Sequence, residues 1–257
     1  MTATVYAARR DTLWQQLRRV LRAVAVLLHI FYGLLLALVS LAFWRPYRPL
    51  VRRLALHWQR LLLSILGVQL EVVGTPAMGT VFLVSNHVSW LDIPVIGAQR
   101  DVHFLSKAEV REWPLIGALA QAAGTLFIRR GKGESRVKAQ ELAGHLQAGR
   151  TLLVFPEGTT GSGHTLKRFF SPLFAAPVNA QVPVQPLVVR YLDDSGQVDA
   201  AVAFVGDDEF TAHLWQLLRR DRVCVQLHWL PVLQVEGVSA DALCGEARLR
   251  IASVIEQ

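Results

Sequence analysis

No charged side chain occurs from Ala23 to Trp44, a run of 22 residues. As a helix at about 1.5 Å per residue it would extend roughly 33 Å, matching a hydrocarbon core of about 30 Å. Pro46 and Pro49 break this helix, and a second apolar stretch follows from Leu54 to Leu70, interrupted by His57 and Arg60. Beyond it the pattern changes: short apolar, β-rich runs alternate with helix-like stretches, and turn residues mark the joins. Strands are predicted at Leu70–Val73, Val81–Ser85, Val102–Ser106, Thr125–Ile128, Leu152–Phe155, Val184–Tyr191, Ala201–Val205 and Val223–Trp229. Helices are predicted at Trp90–Ala98, Ala108–Ala122, Glu134–Ala148, Phe169–Ala176, Glu209–Arg220 and Ala240–Ile255. The alternation predicts an α/β fold, a mixed, largely parallel sheet flanked by helices, behind an N-terminal helical membrane anchor. We expect the anchor or hairpin over residues 1–68 and a single α/β domain over 69–257, a length sufficient for a proper core.

Composition sharpens the anchor. The chain is 52% apolar, high for a soluble protein, and much of the excess lies in the first seventy residues. Residues 1–60 carry ten arginines and one acid, Asp11, a net +9; the whole chain is +7, so residues 61–257 carry −2. The basic balance thus belongs to the anchor, which argues against a nucleic-acid partner and for an anionic membrane surface. Arginines flank the apolar run on both sides, so it fits a spanning helix or one arm of a hairpin lodged in a single leaflet. A cleaved signal peptide is disfavoured, since the run is too long and arginines rather than a small-residue cleavage site follow it. Cys224 and Cys244, the two cysteines, have no metal-ligand spacing and read as small apolar residues in a reducing compartment.

Polar residues follow four of the predicted strands: Asn86-His87, Arg129-Arg130, Glu157-Gly158-Thr159, and Arg190 near the end of its run. In a parallel sheet the first three would meet in the crevice at one edge. His87 and Asp92 are five positions apart, about 500° of helix, so mid-helix they would point roughly 140° apart. They can meet if His87 lies in the loop before a helix that Ser89 caps and Asp92 enters. Asp92 would then accept from one imidazole nitrogen and leave the other free as a general base. The competing reading of His87 is a structural histidine. A metal site from His87, Asp92 and His103 matches no common ligand pattern. Ser85 and Ser89 lack a nucleophile elbow, so direct attack by a substrate hydroxyl is the simpler chemistry. Gly158-Thr159-Thr160-Gly161-Ser162-Gly163 could cradle an anion or form a flexible surface turn, and it lacks the ending of a nucleotide P-loop. Arg129-Arg130 could fork onto a phosphate or lie as a solvated basic turn.

Asn86-His87-Val88-Ser89-Trp90-Leu91-Asp92 closely resembles the NHx4D block of the lysophospholipid acyltransferase family, typified by 1-acylglycerol-3-phosphate acyltransferases. Gly124–Arg130 resembles that family's second block, Phe155–Thr159 its third and Val182–Leu187 its fourth, in the family's order. The resemblance implies that His87 is the general base and Asp92 its partner, and that Arg130 binds the acceptor phosphate. It implies that Glu157, Gly158 and Thr159 contribute to acceptor binding, and that Pro183 shapes the acyl-donor side. An acyl-CoA or acyl carrier protein thioester is the implied co-substrate, with no metal and no resident cofactor. The implied acceptor is a membrane lysophospholipid, first 1-acyl-sn-glycerol-3-phosphate, at the cytoplasmic side of the cell inner membrane. The chain departs from the family where many members have an acid before the block-two arginine (here Arg129) and Arg or Lys soon after Gly158-Thr159 (here Thr160). Those departures bring lyso-ornithine lipid, which lacks the phosphomonoester, into view as the alternative acceptor. A thioesterase-like hydrolase and a non-catalytic lipid-binding protein are the other classes, and the intact His87 and Asp92 argue against the latter.

Overall fold

A computed structural model describes residues 12–43, 49–113, 115–128 and 135–256. Arg9, Arg10, Trp44, Arg45, Pro46, Arg48, Arg129, Arg130 and Glu134 lie outside them. The described chain forms α1 (Leu13–Phe43), α2 (Pro49–Leu66), β1 (Val68–Gly74), β2 (Phe82–Ser85), α3 (Asp92–Gly97) and β3 (His103–Lys107). It continues with α4 (Ile116–Ala122), β4 (Leu126–Ile128), α5 (Ser135–Gln147), β5 (Leu152–Val154) and α6 (Ala175–Ala180). β6 (Val184–Leu192), α7 (Phe210–Arg219), β7 (Val223–Trp229) and α8 (Ala240–Ile255) complete it.

The strands form one sheet in the order β1-β7-β6-β2-β5-β3-β4, every neighbour parallel except the β6–β7 pair. Helices cover both faces, which is why central β2 reads Phe-Leu-Val with no polar alternation: Phe82, Leu83 and Val84 are all fully buried. Because successive strand residues face opposite ways, Leu83 joins a core with α2, α3 and α7, while Phe82 and Val84 join one with α5, α6 and α8. β2 runs between β5 and β6, and the carboxyl ends of β2 to β6 share one edge of the sheet. A crevice at that edge is where such a fold presents polar groups.

Three predicted elements differ. Ala201–Val205 is a turn, because Asp199 accepts from the Ala201 N–H (3.1 Å) and its carbonyl from the Val202 N–H (3.1 Å); Val202 and Ala203 are buried without strand pairing while Val205 is exposed. Ala108–Ala122 divides into a 3₁₀ turn at Ala108–Glu112 and α4, as expected where Pro114 disfavours helix at Trp113. Phe169–Ala176 becomes a 3₁₀ turn, Ser171–Phe174, leading into α6.

α1 and α2 pack into the first core through Val26, Leu63 and Leu66. Polar ties hold them along their length: Arg18 pairs with Asp221, Arg22 donates to the Arg220 carbonyl (2.6 Å), and Trp58 to the His29 carbonyl (3.1 Å). Arg60 donates to the Ala98 carbonyl (2.8 Å) and Arg52 pairs with Asp101 (3.0 Å). Gly33 allows close approach, since a Cβ there would overlap Trp58. The opposite face of α1 leaves Leu21, Val24, Leu28, Phe31, Leu35 and Leu38 exposed, a stripe at helical spacing.

The turn from α2 to β1 depends on Gly67, at φ 71°, where a Cβ would overlap the Arg22 guanidinium. Gly67→Ala should therefore destabilise the protein by about 1–3 kcal/mol, read as a lower melting temperature in detergent.

Candidate active site

The crevice is assembled on the overhang of β6. β2 ends at Ser85 opposite Leu187, whereas β6 runs on to Leu192. Asn86 catches this overhang: its Nδ2 donates to the Val189 carbonyl and its Oδ1 accepts from the Val189 N–H, both at 2.9 Å. The chain thus leaves β2 pinned to β6, and His87 falls in the loop before α3 as its spacing requires.

The next residues wrap around Asp92, the first residue of α3, which is fully buried. Its Oδ2 accepts from His87 Nδ1 (2.7 Å), the Val88 N–H (2.7 Å) and the Ser89 N–H (3.1 Å); its Oδ1 accepts from the Tyr191 hydroxyl (2.6 Å). Four donors suit a carboxylate, which when ionised only accepts. The Asp92 N–H donates back to the Ser89 carbonyl (3.1 Å), closing the turn. Four intervening residues are what the backbone needs to fold round one carboxylate. Ser89 is therefore not the expected side-chain cap, since its hydroxyl is buried and makes no cap bond.

The His87 ring stacks on Phe155 with centroids 3.9 Å apart and planes 11° from parallel. With Nδ1 on Asp92, the ring has one orientation, and its side chain retains 17% exposure at the crevice. Its backbone is clamped too. The His87 N–H donates to Glu157 Oε1 (2.9 Å), and its carbonyl accepts from the Gly161 N–H (2.7 Å). Glu157 Oε2 accepts from the Lys167 N–H (2.8 Å), so this carboxylate joins the two loops. Burial pushes the Glu157 carboxyl above its ordinary value, and those backbone hydrogen bonds with the nearby His87 and Lys167 charges partly offset it. The glycine-rich loop is likewise tied down, with Gly161 bonded to His87 and Gly163 packed against Val88. On the outer side the Val88 carbonyl accepts from the Phe204 N–H (2.9 Å), and Trp90 Nε1 donates to His213 Nδ1 (3.0 Å) on α7.

Of the predicted site residues, the structure brings together His87, Asp92 and Glu157, with Gly158 in the same turn and Thr159 exposed beside it. Glu157 has both oxygens on protein backbone, a positioning arrangement rather than an open acceptor subsite. Pro183 is not with them: it precedes β6 at the opposite edge of the sheet, its carbonyl accepting from the Phe82 N–H (3.0 Å). Arg190 faces away, since Tyr191 beside it faces the site. Arg129 and Arg130, which follow β4 in the sequence, lie outside the described residues. His103 is a buried histidine bonded through Nδ1 to the Gly124 carbonyl (3.0 Å). Among the described residues no group of three or more His, Cys, Asp or Glu side chains could hold a metal. Tyr191 and His213 escaped the sequence reading, because a tyrosine in an apolar strand and a histidine in an apolar helix look like packing.

The family model described as Acyltransferase matches residues 69–190, a span that ends on the β6 overhang. A lyso-ornithine lipid O-acyltransferase of Pseudomonas aeruginosa is 44% identical over 237 residues, covering 91% of this chain and 92% of that one. The chain belongs to the lysophosphatidic acid acyltransferase-like family. A 1-acyl-sn-glycerol-3-phosphate acyltransferase of Neisseria meningitidis is 31% identical over 209 residues, covering 80% of this chain and 78% of its own. The crystal structure of the 1-acyl-sn-glycerophosphate acyltransferase PlsC from Thermotoga maritima superposes with a TM-score of 0.70 at 21% identity, over 95% of each chain. That likeness shows the same fold. The resemblance carried by the four sequence blocks and the mixed, largely parallel sheet are both borne out, and the chain is an acyltransferase.

Glu157→Gln puts an amide N–H₂ against one of the two backbone donors and breaks half the clamp. The acyltransferase should lose about tenfold in kcat, equivalent to about 1.4 kcal/mol, with little change in KM. The variant also removes a partly buried charge. Because the folded carboxyl titrates above the ordinary 4.5, the unfolded chain ionises first as pH rises. Wild type should thus lose stability relative to Glu157→Gln as pH climbs from 4.5 through the raised value, in melting curves across that window.

Proposed function

We propose that this acyltransferase moves a fatty acyl chain from a CoA or acyl carrier protein thioester to the hydroxyl of a lysolipid, with lyso-ornithine lipid as the acceptor. The observation that carries the chemistry is the 2.7 Å bond from His87 Nδ1 to buried Asp92, which leaves Nε2 as the proton acceptor. As the substrate hydroxyl gives its proton to Nε2, its oxygen attacks the thioester carbonyl. The tetrahedral intermediate collapses to the ester and a thiolate, and the imidazolium returns the proton to the sulfur. Asp92 stabilises the imidazolium between these transfers.

The acceptor assignment is supported by the 44% identity, over nearly the whole chain, to an enzyme named for lyso-ornithine lipid. Thr160, standing where many family members carry a cation suited to a phosphate, points the same way. Lysophosphatidic acid is the second reading, favoured by Arg130 in the second block and by the Neisseria relative.

The reaction would take place at the cytoplasmic side of the inner membrane. α1 is long and apolar enough to cross a bilayer, yet ties from Arg18 to the packing at Gly33 hold it along the domain. That geometry supports α1 lying in one leaflet with its apolar stripe in lipid, arginines nearby meeting anionic headgroups.

Purified enzyme given lyso-ornithine lipid and lysophosphatidic acid, each with acyl-CoA and with acyl carrier protein thioester, should show at least about tenfold higher kcat/KM for lyso-ornithine lipid. A preference for lysophosphatidic acid would overturn the acceptor assignment, and thioester hydrolysis that ignores both acceptors would overturn transfer. His87→Ala should lose about a hundredfold or more while staying folded. For the anchor, Leu28→Glu with Phe31→Glu should release the protein from anionic vesicles in flotation assays; undiminished binding would move the anchor elsewhere.

A further inference from the structure

We infer that Tyr191 is a positioning residue for the transfer reaction, acting through Asp92. The inference rests on the reading of His87 as the base. Tyr191 lies on the overhang of β6 and is among the largest fully buried side chains. Its hydroxyl donates to Asp92 Oδ1 at 2.6 Å, 99 residues away in sequence. The other three donors to Asp92 all reach Oδ2 and all come from residues 87–89.

This division gives Tyr191 a distinct job. Donors from one short turn hold one oxygen but leave the carboxylate able to swing about the Cβ–Cγ bond. A donor on the second oxygen, fixed to the sheet, sets the plane of the group and so the direction from which Oδ2 meets Nδ1. With Phe155 stacked on the imidazole, that direction determines where Nε2 points. Burial and the adjacent carboxylate push the Tyr191 phenol well above its ordinary range, so it stays a donor across the working range.

The bond also tunes the base. Each hydrogen bond drains negative charge from Asp92, and removing one lets the carboxylate stabilise a protonated His87 more strongly. Among the described residues, the other titratable groups facing this pair are Glu157 after β5, Lys167 beyond it and His213 on α7, behind Trp90. None of them touches Oδ1, so the effect of losing the phenol should not be hidden by theirs.

The test compares wild type, Tyr191→Phe, Asp92→Asn, the double variant and His87→Ala in the membrane-bound protein with one acceptor and one thioester. Tyr191→Phe should lower kcat about tenfold or more with KM little changed, as typical for a group that orients a reacting residue. The acid limb of its kcat/KM profile should move to higher pH. The double variant should lose no more than Asp92→Asn alone. Wild-type kinetics in Tyr191→Phe, an unmoved acid limb, or a further loss in the double variant would overturn the inference. An active His87→Ala would instead overturn the base reading, a separate outcome. If Tyr191→Phe does not accumulate folded, 3-fluorotyrosine at position 191 keeps the shape with a more acidic hydroxyl. As a stronger donor it should move the acid limb to lower pH; no movement, or movement upwards, would overturn the inference.

Discussion

A carboxylate with no access to water is the constraint around which this enzyme is arranged. An isolated anion in such a place is intolerable, and even a paired one needs further donors. Asp92 obtains them from an imidazole, two backbone N–H groups and a phenol, supplied by its own turn and by β6. Charge compensation and the orientation of His87 are therefore one arrangement: any conformation that frees the imidazole also strands the anion. Asn86 secures the arrangement from below by joining the end of β2 to the same strand that carries Tyr191.

How much of this was legible depended on how local each interaction is. His87 and Asp92 were readable because their contact spans five residues and the turn between them supplies its own hydrogen bonds. The parallel sheet followed from alternation, and β7 and α8 fall where their apolar patterns place them. Glu157 was readable as part of the site but not in its role, because its partners are the backbone N–H groups of His87 and Lys167, and backbone has no signature in composition. Ser89 illustrates the converse, a favoured capping residue whose backbone carbonyl, not its hydroxyl, accepts from the Asp92 N–H. Pro183 was placed by motif, and strand direction then set it at the far edge of the sheet. Ala201–Val205 reads as a strand from its apolar content alone, and only Asp199, gripping the turn, shows otherwise.

Tyr191 is the instructive omission. A tyrosine ending an apolar strand is ordinary core material, and what distinguishes it is where the strand stops. β6 has nine residues while β2 has four, so its last residues have no β2 partner and must find other company. Unequal neighbouring strands at the carboxyl edge of a parallel sheet are a readable sign that the longer one serves the site.

The docking of α1 has a consequence for how the chain comes to be folded. Arg18 and Asp221 are 203 residues apart, and α7, against which α1 packs, is made long after α1 and α2. Until then α1 rests on α2 through Gly33, Trp58 and the His29 carbonyl, while Arg18 and Arg22 lack their partners at Asp221 and Arg220. Closing so long a loop is entropically unfavourable, and contacts of this separation form late. The Arg18–Arg22 end of α1 is therefore fixed by residues made after β1 to β6, and the docking of this helix closes over a sheet whose other strands already exist.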